Sequence, residues 1–246
     1  MTRLLVLWVL LASAPLSAAE LTVSAASSLT DGFRGIAAAY QQAYPGARVD
    51  LNFAASGVLL QQIARGAPVD VFASADEATM DQAERGGHID PRTRHVFARN
   101  SLWVVVPLES VGIPASLQAL TVPGMRRIAI GNPDSVPAGR YALGALQDAG
   151  LWTALQSKAI RTQNVRQSLD YVARGEVDAG FVYATDAPAV PARVRRAFEV
   201  PIEGGIRYPL AMVKGSARAA EARRFIAFVD SARGQAILRR HGFSSP

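Results

Sequence analysis

Two serines stand where chemistry on a small ligand could take place, each at the junction of an apolar strand and a helix. Ser28 follows the alternating pattern LTVSAA (21–26), and Ser56 follows the pattern VDLNFAA (49–55). The start of a helix exposes unpaired N–H donors and the positive end of the helix dipole, which together attract an anion. A serine there adds a hydroxyl donor. Taken singly, however, either serine could be an N-cap that only stabilises its helix.

Two more helix starts favour the anion interpretation. The segments VPAG (136–139) and NVR (164–166) each open a helix and carry small or unobstructed residues. Four such helix starts could converge only across a cleft between two sheets. A cleft of that kind suits a small, multiply charged oxyanion.

Catalytic patterns are missing from the sequence. Cysteine is absent, which excludes disulfides, thiolate metal sites and cysteine nucleophiles, and the three histidines (His88, His95 and His241) have no spacing that would let two share a metal. No G-x-S-x-G, P-loop or G-x-G-x-x-G pattern occurs. Ser28 or Ser56 could be a nucleophile only with a general base, and none of the three histidines is an obvious candidate for that base. An exported serine hydrolase therefore remains only as an alternative.

Composition points to a globular protein that does not bind nucleic acid. Half of the 246 residues are hydrophobic and 19% are charged, too apolar a mixture for a disordered chain. Basic residues outnumber acidic ones by 26 to 20, and all but two of the basic residues are arginine. These arginines are scattered and lack interleaved aromatic residues, so we interpret them as solvated surface charges.

The N-terminus has the features of an export signal. A short basic start precedes the apolar run LLVLWVLLA (4–12), and the small residues at 17–19 suit a signal peptidase. The run is well short of the ~20 residues that span a bilayer. We therefore predict a signal peptide at 1–19, cleaved after Ala19, and a mature periplasmic protein. Without cysteine, a lipid-anchored form is excluded.

Strand and helix patterns alternate along the mature chain. This order predicts an α/β fold with largely parallel sheets and helices on both faces. The segment SLWVVVP (101–107) is apolar without alternation and is predicted to be a strand buried on both faces.

The motifs carry a family resemblance. The segments TVSAASSLTDGF, NFAASGVLLQQIARGAPVDVFASAD, NSLWVVVP, GNPDSVPAGRYA, NVRQSLDYV, GFVYATDA and RYPLAMVKG follow one another in order over almost the whole mature chain. They resemble the periplasmic molybdate-binding proteins of ABC importers. The resemblance implies a two-lobed type II periplasmic-binding-protein fold, with two mixed or parallel sheets joined by two crossover strands that form a hinge. We expect residues 20–104 and 190–246 to form lobe 1 and residues 105–189 to form lobe 2.

The same resemblance implies a binding site without catalysis. Neutral donors from both lobes would hold molybdate or tungstate, so the molybdenum is bound as its oxyanion, with no direct metal ligand and no cofactor. Permease subunits of an ABC importer would be the partner, and the protein would be a monomer rather than an enzyme. Another oxyanion, sulfate or phosphate, remains an alternative ligand. The site residues carried over by motif are Ser28, Ser56, Ala138, Val165 and Tyr183.

Four residues at or beside the predicted site raise separate expectations. The family often has a serine-rich run where this chain has Ala55-Ser56-Gly57, and we expect the Gly57 N–H to serve as a remaining backbone donor. Arg166 could supply a positive field beside the Val165 donor, but we interpret it as a solvent-facing residue of the first helical turn. Ser27 stands beside Ser28, so the choice of hydroxyl stays open between the two. Tyr183 is expected to reach the site from the second crossover.

Overall fold

Two five-stranded sheets organise residues 20–246, the part of the chain that this computed structural model describes. The signal peptide predicted at 1–19 lies outside the described residues. The strands are β1 (Glu20–Ala26), β2 (Arg48–Ala54), β3 (Val71–Ala73), β4 (His95–Asn100), β5 (Leu102–Pro107), β6 (Ile128–Gly131), β7 (Ala159–Thr162), β8 (Ala179–Tyr183), β9 (Val194–Val200) and β10 (Ile206–Met212). The helices are α1 (Thr30–Ala43), α2 (Ser56–Ala64), α3 (Glu77–Arg85), α4 (Pro137–Asp148), α5 (Trp152–Leu155), α6 (Val165–Ala173), α7 (Ala219–Asp230) and α8 (Ala232–Arg240).

Both sheets have the same plan. The first has the order β2-β1-β3-β10-β4 and the second the order β7-β6-β8-β5-β9. In each, three parallel strands are followed by one strand antiparallel to both of its neighbours. The predicted α/β fold of two mixed sheets with flanking helices is therefore confirmed. None of the helices within residues 20–246 combines the length and the apolar character needed to span a bilayer.

The chain crosses between the sheets twice. It leaves the first sheet at Ser101, between β4 and β5, and returns through residues 201–205, between β9 and β10. The predicted lobe boundaries need correction, because the boundary after residue 104 lies inside β5 and the one after residue 189 assigns β9 to the wrong lobe. β9 pairs with β5 in the second sheet. The sequence of β9 lacks an apolar pattern typical of a buried strand, since only its two terminal valines are buried.

Apolar faces fix the strands that lead to the cleft. The α1 residues Phe33, Ile36 and Tyr40 are fully buried, as their helical spacing predicts. In β5, Leu102 and the three valines 104–106 are also fully buried, which confirms a strand covered on both faces. Each such side chain contributes about 1.5–3 kcal/mol by leaving water, so the strand ends are held firmly in place.

A surface ion pair in the first lobe gives a pH-dependent contribution to stability. His95 Nε2 lies 2.9 Å from an Asp230 carboxylate oxygen, and its Nδ1 lies 3.0 Å from the Thr93 carbonyl oxygen. Both partners are acceptors, so the doubly protonated ring fits best. The hydrogen bond to Asp230 raises the pKa of His95 above its usual 6.5. This contribution is therefore fully present below pH 6.5 and disappears as the pH rises through the raised folded-state pKa.

We expect Asp230→Asn to lower the free energy of unfolding by about 0.5 kcal/mol at pH 6, because both groups of the pair are partly exposed. The loss should vanish at pH 9, where His95 is neutral and Asp230, the last residue of α7, faces the negative end of its helix. Urea unfolding at both pH values measures the difference. Asp50→Asn in the exposed part of β2 is the control, and an equal loss at pH 6 and pH 9 in Asp230→Asn would contradict the pairing.

Candidate functional site

A small cavity lies between the two sheets, where their parallel strands end. The empty space between its wall residues is about 180 Å³, including some that opens to solvent. The cavity therefore suits a small ligand. All five residues predicted from the sequence belong to its wall. The wall residues are Ala26, Ser27, Ser28, Ala55, Ser56, Ala75, Val136, Pro137, Ala138, Val165 and Tyr183.

Equivalent strands of the two sheets bring these residues together. In the first sheet, β1 leads to Ser28 and β2 leads to Ser56, the first residue of α2. In the second sheet, β6 leads to Ala138 in the first turn of α4 and β7 leads to Val165, the first residue of α6. The predicted convergence of four helix starts across a cleft is therefore what the structure shows.

Backbone donors face this cavity without partners of their own. Within residues 20–246, no acceptor is found for the N–H groups of Ser28, Ser56, Ala138 and Val165. The first N–H groups of a helix have no acceptor inside the helix and carry the positive end of its dipole. The cavity is thus lined by backbone donors from both lobes.

The serine hydroxyls are not helix caps, so the N-cap alternative is wrong. The residues at the cap positions are Leu29 and Ala55, and neither end has a side-chain cap. Ser28 lies instead in a short 3-10 turn, Ser27–Leu29, ahead of α1. The Ser56 hydroxyl oxygen accepts the Ala75 N–H at 3.1 Å, which leaves its own proton free to be donated.

Tyr183 supplies an unpaired phenol. Its side chain is 1% exposed, and its hydroxyl has no hydrogen-bond partner among the described residues. Burial raises the pKa of Tyr183 well above 10, so the phenol keeps its proton. Tyr183 ends β8 and pairs with Leu102, so its predicted place on the second crossover is wrong. A buried hydroxyl without a partner costs about 1–3 kcal/mol, which a ligand oxygen would recover.

Gly57 is not the backbone donor that the sequence suggested. Its N–H donates to the Ser135 carbonyl oxygen at 3.0 Å, across the cleft. A β-carbon at position 57 would lie 2.8 Å from the backbone of Ser135. The glycine therefore permits close approach of the two lobes rather than contact with a ligand.

Arg166 is not solvent-facing either. Its side chain is 21% exposed and lies 2.8 Å from carboxylate oxygens of both Asp31, in lobe 1, and the fully buried Asp186. The sequence could not reveal this, because the two acids lie far from position 166 along the chain. Ser27 does line the cavity, beside Ser28.

Charges surround the cavity in pairs and none enters its wall. Arg140 of the second lobe binds Asp76 of the first at 2.7 Å and also donates to the Thr79 hydroxyl. Residues 20–246 contain no cluster of histidine and acidic side chains able to hold a metal ion. The wall has no side chain that could act as a general base. The arrangement can bind a small anion with neutral donors.

Comparison with known proteins agrees with this geometry. The family of bacterial extracellular solute-binding proteins matches residues 21–244. The molybdate-binding protein ModA of Escherichia coli is 35% identical over 230 residues, which cover 92% of this chain and 89% of the relative.

Solved structures show the same architecture. The periplasmic molybdate-binding protein of Azotobacter vinelandii superimposes with a TM-score of 0.82 at 26% identity, covering 92% of this chain and 99% of the other. The sulfate-binding protein SubI of Mycobacterium tuberculosis has a TM-score of 0.79 at 18% identity, covering 92% of this chain and 86% of the other, and shares the fold. The chain therefore has the type II periplasmic-binding-protein fold and belongs to the bacterial extracellular solute-binding protein family, together with molybdate-binding relatives.

Proposed function

We propose that this protein is a periplasmic substrate-binding protein that captures molybdate in the cavity and delivers it to the permease of an ABC importer. The observation that carries the proposal is the cavity wall itself, which has donors from both lobes and no charged residue. Ser28, Ser56, Ala138, Val165 and Tyr183 are the proposed ligand-binding residues. The names of the relatives support molybdate as the ligand.

Protonation favours molybdate over phosphate in such a cavity. Molybdate and tungstate are fully deprotonated dianions near neutral pH, so each of their oxygens can accept a hydrogen bond. Hydrogen phosphate carries a proton that needs an acceptor, and leaving it unpaired costs about 1–3 kcal/mol. Sulfate has no such proton but is smaller, so its hydrogen bonds to a rigid wall would be long. Tungstate is deprotonated and carries the same charge as molybdate, so we expect it to bind like molybdate.

A binding role explains the serines better than hydrolysis does. Neither Ser28 nor Ser56 has a basic side chain beside it in the cavity wall. We therefore propose that the protein is not an enzyme. We also propose that it is a periplasmic monomer that docks to the permease subunits.

Binding should involve closure of the lobes around the anion. Three contacts already join the lobes beside the cavity: Gly57 with Ser135, Arg140 with Asp76, and Arg166 with Asp31. None of the three uses a donor that faces the cavity. Closure can therefore be changed by mutation without altering the proposed ligand contacts.

Thermal melting with a panel of anions tests the ligand. At a ligand concentration of about 1,000 times Kd, binding to the folded state adds about 4 kcal/mol. For a chain of this size, that corresponds to a rise in Tm of about 10 °C. We expect molybdate and tungstate to raise Tm by this amount. Sulfate should raise Tm much less, and phosphate should raise it least. A shift with phosphate or sulfate and none with molybdate would overturn the proposed ligand.

Tyr183→Phe should separate binding from folding. We expect it to weaken molybdate binding by about 0.5–3 kcal/mol, the range for one hydrogen bond. Without ligand, Tm should stay the same or rise, because the variant removes an unpaired buried hydroxyl. Isothermal titration calorimetry and melting measure the two effects, with Tyr44→Phe in the first lobe as the control. Unchanged affinity in Tyr183→Phe would show that its hydroxyl does not contact the ligand.

Gly57→Ala tests closure. Its β-carbon would lie 2.8 Å from Ser135 across the cleft, and such overpacking typically costs about 1–3 kcal/mol. We expect molybdate affinity to fall roughly tenfold or more, while the ligand-free protein stays folded because alanine suits a helix better than glycine. Gly144→Ala in α4, where a β-carbon meets nothing within 4 Å, is the matched control. Equal affinities of the two variants would argue against closure at Gly57.

A further inference from the structure

Two residues outside the cavity wall form a chain of hydrogen bonds that ends at Ser28. The Ser28 hydroxyl lies 3.0 Å from the hydroxyl of Tyr208, on β10. The amide nitrogen of Asn100, the last residue of β4, donates to that same Tyr208 hydroxyl at 3.3 Å and to the Thr185 hydroxyl at 2.9 Å. Tyr208 is fully buried, so water does not compete for its hydroxyl.

The direction of this chain is set at Asn100. Its side-chain oxygen accepts the Ser101 N–H at 2.9 Å, which places the amide nitrogen toward Tyr208. An amide nitrogen can only donate. The Tyr208 hydroxyl therefore accepts a hydrogen bond from Asn100. Burial raises the pKa of Tyr208 well above 10, so its hydroxyl keeps its proton and can donate a hydrogen bond.

Within residues 20–246, the Ser28 oxygen is the one hydrogen-bond acceptor for the Tyr208 hydroxyl proton. When Tyr208 donates to the Ser28 oxygen, the Ser28 proton is left to point elsewhere, and the cavity lies beside it. The opposite direction would leave the buried Tyr208 proton unpaired, at a cost in free energy. The same logic applies at Ser56, whose oxygen accepts the Ala75 N–H.

We infer that Asn100 and Tyr208 are positioning residues that fix the Ser28 hydroxyl as a donor to the bound oxyanion. This inference rests on the proposed function, because it concerns how the same cavity binds its ligand. Neither residue touches the ligand in this scheme. Both act through Ser28.

The variant Tyr208→Phe removes the relay while keeping the ring. The ring of Tyr208 packs edge-to-face on Tyr183 and Phe243, with centroids 5.6 and 5.5 Å away, and phenylalanine retains these contacts. The Ser28 hydroxyl would then be free to turn and accept a hydrogen bond. Tyr40→Phe is the matched control, because Tyr40 is also fully buried and its hydroxyl binds Glu221, away from the cavity.

The first measurement is a double-mutant cycle with calorimetric Kd values for molybdate. We expect Tyr208→Phe to weaken binding about 3- to 10-fold in the wild-type background. In the Ser28→Ala background, it should cause no further loss, because the group it orients is gone. An equal loss in both backgrounds, or no loss in the wild type, would overturn the inference.

The second measurement is the control. Tyr40→Phe should leave the molybdate Kd unchanged, because the Tyr40 hydroxyl binds Glu221, away from the cavity. An equal loss of affinity in Tyr208→Phe and Tyr40→Phe would mean that loss of any buried phenol loosens the protein, and would overturn the inference.

The wild-type titrations separate this inference from the proposed function. A wild-type protein that binds sulfate but not molybdate would refute the proposed ligand, and the cycle would then be measured with sulfate. A wild-type protein that binds no oxyanion would refute the proposed function and the inference together.

Discussion

An anion taken out of water needs a hydrogen-bond donor for each oxygen, and a single acceptor facing it is repelled. Two hydroxyls of the wall help to meet this constraint, because each oxygen already lies beside a donor of the protein. Ser56 accepts from the Ala75 N–H, and Ser28 lies beside the Tyr208 hydroxyl. The protons of these two hydroxyls are then free to be donated to a ligand. Charged side chains are paired with one another around the cavity, so the net attraction for an anion comes from backbone dipoles.

The two sheets explain why these donors meet. Each sheet places its first two parallel strands so that the following helices start at the same edge. Facing the two edges toward each other brings four helix starts to one point, which neither sheet could do alone. The position corresponds to the crevice at the carboxyl ends of parallel strands, where ligands bind in open α/β sheets.

Much of this arrangement could be predicted from the sequence. The strand-to-helix junctions at Ser28 and Ser56 are visible because apolar alternation stops where a helical pattern begins, and all five predicted residues lie in one cavity. The sequence could not place β9, whose inner residues are charged or only partly buried. It also could not reveal Tyr208, Asn100 or the partners of Arg166. The contacts of Tyr208 with Ser28 and Asn100, and of Arg166 with Asp31, join residues more than 100 positions apart and leave no local pattern.

The contacts that join the lobes beside the cavity have a consequence for how affinity is set. The apparent Kd equals the intrinsic Kd divided by the fraction of molecules that are closed before the ligand arrives. Arg140 and Arg166 join the lobes without being part of the cavity wall, so substitutions at either would change that fraction rather than the intrinsic Kd. Two proteins with identical walls can thus differ in their working concentration range. Substitutions at the contacts between the lobes can therefore adapt the affinity to a scarce or an abundant supply of the anion, while the cavity wall that recognises the anion stays unchanged.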